Sequence, residues 1–85
     1  MPLPEVVARS PGEGLPESMG DDRAARHDRA AAVHEAAAAR HDESVGFWER
    51  AGDAARAALA KRRAAFQREG AQIERDHARL ERDDG

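Results

Sequence analysis

The sequence predicts an all-α protein: an antiparallel helical hairpin, a two-helix coiled coil that assembles further into a helical bundle. Three observations carry this. His27, His34, His41 and Trp48 recur every seven residues, and Leu59, Phe66, Ile73 and Leu80 do the same later in the chain; a sustained seven-residue repeat marks one helix laid against another. Twenty alanines and thirteen arginines, both strong helix formers, fill most of the intervals. Gly52-Asp53 separates the two periodic runs, and glycine followed by a capping acid is the chemistry of a helix–helix turn.

Residues 1–20 hold all four prolines and three of the seven glycines, with a charge balance of −4 over residues 1–22. Such a segment cannot bury enough apolar area to offset its ordering entropy, so an acidic disordered tail is expected. Helix 1 is expected to start at Asp21 or Asp22, whose carboxylates suit the positive end of the helix dipole, and to run to about residue 51. Gly46, with Ser44 and Val45, marks a soft spot near its end. Residues 52–53 form the turn. Helix 2 is expected over about 54–82, and Asp83-Asp84-Gly85 should fray, because acids sit at the wrong end of the dipole.

Folding the hairpin at Gly52 suggests a register. Val45, Ala38, Ala31 and Ala24 would receive Leu59, Phe66, Ile73 and Leu80, so that small side chains meet large ones. In the alternate layers Trp48 would meet Arg56, His41 would meet Arg63, His34 would meet Gly70, and His27 would meet His77. Trp48 over Arg56 is expected to make a cation–π contact. Alanine rows remain unused on both helices, Ala57, Ala64, Ala71 and Ala78 among them; pairing two hairpins would bury such a face. Half of the layers are polar, so the lone hairpin is expected to self-associate or take a partner helix, with Trp48, Leu59, Phe66, Ile73 and Leu80 as the association residues.

Composition narrows the function classes. There is no cysteine, hence no disulfide, thiol catalysis or zinc-thiolate site. No basic, apolar leader opens the chain and no apolar run approaches a membrane span, so a cytoplasmic protein without membrane association is expected. The arginine and alanine bias suggests a bacterial source. No nucleophile with a paired base and no phosphate-binding loop is present, so neither enzymatic activity, a small-molecule substrate nor a cofactor is expected.

Three other readings attach to particular residues. Arg56, Lys61, Arg62, Arg63 and Arg68 precede the first acid of helix 2, Glu69, and a basic helix can track phosphates, which makes nucleic-acid association the alternative function. The histidine repeat suggests a pH-sensitive seam. Its members are roughly 10.5 Å apart along the helix, too far to share one ion. The one metal-ligand candidate set is Glu74, His77 and Glu81 with His27 across the seam; surface ion pairing accounts for the same acids.

A hairpin of this size with a tryptophan beside its turn resembles the WXG100 proteins secreted by type VII systems, whose turn carries Trp-x-Gly. The resemblance rests on Trp48. The turn here reads Trp48-Glu49-Arg50-Ala51-Gly52, and no tyrosine is present to make the family's C-terminal Tyr-x-x-x-acid signal; His77-Ala78-Arg79-Leu80-Glu81 is the nearest analogue. What the resemblance implies, a secreted hairpin, is a lesser alternative.

Overall fold

The computed structural model describes residues 15–84, with side chains from Met19 onward. Residues 1–14, which make up most of the expected tail, and Gly85 lie outside the described residues. Two helices, α1 (Leu15–Arg50) and α2 (Ala54–Asp84), make up the chain from Leu15 to Asp84. They run antiparallel, since His27 stacks on His77 near the open end and Arg56 covers Trp48 near the turn. The all-α hairpin expected from the repeat is what the chain forms. Among the described residues no helix is long and apolar enough to cross a membrane.

The helix limits differ from the expectation at both outer ends. α1 begins at Leu15 rather than at Asp21 or Asp22. Pro16 falls in its first turn, where the missing N–H would have had no intrahelical partner, and Glu17 follows it at the positive end of the dipole. Residues 15–20 are thus helical, not part of a disordered tail. At the other end α2 continues through Asp83 and Asp84, the residues expected to fray.

The turn satisfies the backbone groups that both helices leave open. Gly52 has φ 78°, the left-handed region. Its N–H donates to the Glu49 carbonyl at 3.1 Å and the Asp53 N–H to the Trp48 carbonyl at 2.9 Å. These are the paired bonds of a Schellman cap. Asp53 then caps α2: one carboxylate oxygen accepts the Arg56 backbone N–H at 2.9 Å, and the other takes the Arg56 guanidinium at 2.6 Å. These bonds, the backbone one foremost, hold the Asp53 carboxyl below its ordinary range. The sign follows from that direction. A carboxyl whose folded value is lowered stabilises fully above its unfolded value, and the contribution is lost as pH falls through the folded value. Asp53→Ala is therefore expected to lower the thermal midpoint by several degrees near neutral pH and to flatten the acid limb of the stability profile. Melting curves from neutral to acidic pH check this.

With a assigned to Ala24 and Ala57 in a heptad abcdefg, the seam of α1 runs as expected: Ala24, Ala31 and Ala38 are buried at a, with His27, His34, His41 and Trp48 half-buried at d. The seam of α2 does not. Its buried row is Ala57, Ala64, Ala71 and Ala78, joined by Ala60. Every buried hydrophobic residue of the described chain except glycine is an alanine. Leu59, Phe66, Ile73 and Leu80, expected opposite the α1 alanines, stand outside the seam at c. This corrects the expected register: α2 is rotated so that methyl meets methyl, which lets the helices approach closely.

The layers fixed by chain length alone survive the rotation. His34 lies against Gly70, where a methyl group would come within 3.1 Å of the imidazole. Its Nδ1 pairs with the Gln67 side-chain oxygen at 2.7 Å. The rotation also places the row Lys61, Arg68, Arg75 and Arg82 on the e flank. There each meets an acid of α1: Glu49, Asp42, Glu35 and Asp28 in turn. Hydrogen bonding to Asp42 and to Asp28, with their charge, raises Arg68 and Arg82 above the ordinary guanidinium value.

Candidate association surface

In an antiparallel pair, e flanks e on one side of the seam and g flanks g on the other. The four pairs made by Lys61, Arg68, Arg75 and Arg82 occupy the e side, while Arg23 meets Glu81 across the seam at the open end. The g side is built differently. Its floor is small or polar, with Ala30, Ala37 and Ser44 from α1 and Arg56, Arg63, Gly70 and His77 from α2. The c rows rise on either edge of that floor. On α2 the row is Leu59, Phe66, Ile73 and Leu80; on α1 it is Met19, Val33 and Phe47, with Arg26 and Arg40 alternating. All of the large hydrophobic side chains exposed in the described chain are in these two rows, from 44% for Leu59 to 70% for Phe66. The hairpin therefore has one apolar side and one ion-paired side. An open groove of about 530 Å³, lined by His41, Leu59, Arg62, Arg63, Phe66 and Gln67, runs along the apolar side.

Of the expected association residues, Leu59, Phe66, Ile73 and Leu80 are brought together on this surface. Trp48 is not. It is half-buried at the turn end of the seam, with the Arg56 guanidinium 5.2 Å from its ring centre and the Phe47 ring edge-on at 4.9 Å. Trp48 closes the hairpin internally. Met19, Val33 and Phe47 were missed because fourteen residues separate each from the next and arginines fill the places between; a search at twice the heptad period finds them.

The basic residues of the nucleic-acid reading are mostly committed. Arg56 pairs with Asp53, Lys61 with Glu49 at 3.3 Å, and Arg68 with Asp42. Arg62 and Arg63 have no carboxylate partner among the described residues. They stand beside Leu59 and Phe66 at the groove. The acids of α1 thus pair with Lys61 and Arg68 of that basic set.

The metal-ligand candidates do converge. His27 and His77 stack at 4.1 Å with 17° between their planes. The His27 Nδ1 lies 2.6 Å from a Glu74 carboxylate oxygen, and Glu81 receives Arg23 at 2.7 Å. That hydrogen bond, with charge from Arg23 and the two histidines, holds the Glu81 carboxyl below its ordinary range.

Comparison of the chain with protein-family models, with curated proteins and with solved structures finds no match. The functional reading rests on the geometry of the hairpin itself.

Proposed function

We propose that this protein is a non-enzymatic assembly module that pairs with a second copy of itself through its apolar side. The observation that supports it is the confinement of Met19, Val33, Phe47, Leu59, Phe66, Ile73 and Leu80 to one side of a hairpin whose buried hydrophobic side chains are all alanines. Magnitudes favour burial of that side. A large apolar side chain contributes roughly 1.5–3 kcal/mol when fully buried. With these seven about half exposed, on the order of 5–10 kcal/mol is unrealised in each hairpin, and a pair of hairpins doubles it. Association costs about 4–15 kcal/mol.

Charge placement favours a second copy over an unlike helix. Along the edge of α2, Arg56, Arg62 and Arg63 lie toward the turn, and Asp76 and Asp83 lie toward the open end. Asp76 accepts the Gln72 amide at 2.9 Å and receives Arg79 only at 3.5 Å. Two copies of α2 set antiparallel about a two-fold axis near Gly70 oppose Leu59 to Leu80, Phe66 to Ile73, and the basic end to the acidic end. A two-fold contact of this kind is self-complementary and closes. The reading keeps the bacterial, cytoplasmic setting that composition suggests.

Light scattering after size-exclusion, at low and at high salt, tests the reading against nucleic-acid association. A dimer held by apolar burial keeps its mass as salt rises, whereas a phosphate-tracking protein is retained on DNA at low salt and released steeply. A single-chain mass at both salts, with salt-sensitive DNA retention, would exchange the first reading for the second.

A further inference from the structure

We propose that His27, His77 and Glu81 form a site for a divalent transition-metal ion, with zinc as the fitting probe. One candidate ligand atom from each residue lies within 4.8 Å of the others. Helical spacing produces the set: Glu74, His77 and Glu81 are three and four residues apart and share one face of α2, and His27 meets that face from α1. Two imidazoles and a carboxylate are ligands for an ion of borderline softness, and water would complete the four-coordinate shell that zinc favours.

The surrounding groups suit a bound ion. Glu74 accepts the His27 Nδ1–H, which leaves the Nε2 lone pair to ligate. A carboxylate behind a histidine is the usual outer-shell arrangement of such sites. Arg23 occupies one oxygen of Glu81 and leaves the other. A shared tetrahedral ion needs its two ring nitrogens about 3.3 Å apart. The stacked rings hold their lone pairs in near-parallel planes, so ligation of one ion requires His77, which is exposed, to swing out of the stack until its lone pair converges with that of His27. All ligands come from one hairpin, so the site does not depend on the assembly reading. It would clamp α1 to α2 at the end far from the Gly52 turn, tying together helices joined only at the other end.

Zinc titration of the full chain by calorimetry, paired with melting curves in zinc and in chelator, tests the site. The expected result is saturation at one zinc per chain, with a melting midpoint that rises with zinc concentration. His27→Ala and His77→Ala should each weaken binding at least tenfold while keeping the helical circular dichroism. Glu74→Gln, which leaves the ligands in place, should weaken it about 10–100-fold, and His41→Ala should change nothing. Unchanged melting and no saturable binding for the wild type would overturn the site, and so would equal zinc affinity in the His27→Ala, His77→Ala double variant.

Discussion

Leucine in place of Ala71 lowers the thermal midpoint by roughly 5–20 °C. Ala71 is fully buried in the seam, and its row faces Ala24, Ala31 and Ala38, so three added heavy atoms meet a helix rather than solvent. Overpacking of this kind costs about 1–3 kcal/mol, and each 1 kcal/mol moves the midpoint of a domain this size by about 4–8 °C. Leucine at Ala65, which is exposed on the same helix, should leave the midpoint unmoved. The pair separates two registers. If Leu59, Phe66, Ile73 and Leu80 were the inner row, Ala71 would be an outer residue, and its leucine variant would melt like the wild type.

The second large effect falls on assembly. The Phe66→Glu, Ile73→Glu double variant removes two side chains that are 70% and 57% exposed, four in a symmetric pair of hairpins. At roughly half of 1.5–3 kcal/mol each, the pair loses about 3–6 kcal/mol, which weakens association by a hundredfold or more. The charges introduced stand at the groove and add to that. The hairpin seam does not contain either residue, so the variant keeps its helices at concentrations where the alanine seam alone holds them. Dilution of the wild type past its dissociation constant should reproduce the same state. The check is circular dichroism beside light scattering for both proteins over a concentration series.

Much of the fold was legible because chain length and turn chemistry set it. Gly52-Asp53 marks the reversal, and once it is fixed, His27 must come near His77, His34 near Gly70 and Trp48 near Arg56. All three meetings occur. The face of α2 was not legible, because two rows with the same seven-residue period lie two positions apart. The row Leu59, Phe66, Ile73 and Leu80 is the more hydrophobic; the row Ala57, Ala64, Ala71 and Ala78 is the one that packs. Burying the large residues would have drawn Arg56 and Arg63 into the seam with them, a costly desolvation. Burying the alanines instead brings four basic residues of α2 to four acids of α1. Such exposed pairs are screened by solvent and contribute little, so they favour the rotation without compensating for four exposed apolar side chains. That imbalance is the physical reason to look for a second surface. The early start of α1 was not legible because Pro16 lies in a stretch whose proline and glycine content marks a tail, whereas in the first turn of a helix a proline is tolerated.

Sedimentation equilibrium of the wild-type chain over a wide concentration range, run beside the Phe66→Glu, Ile73→Glu variant, decides whether the apolar side pairs two hairpins. The expected result is a reversible species of twice the 9.2 kDa chain mass for the wild type and the single-chain mass for the variant. A wild type that stays at the single-chain mass, folded and helical, at every concentration would contradict it, as would a variant that assembles as the wild type does.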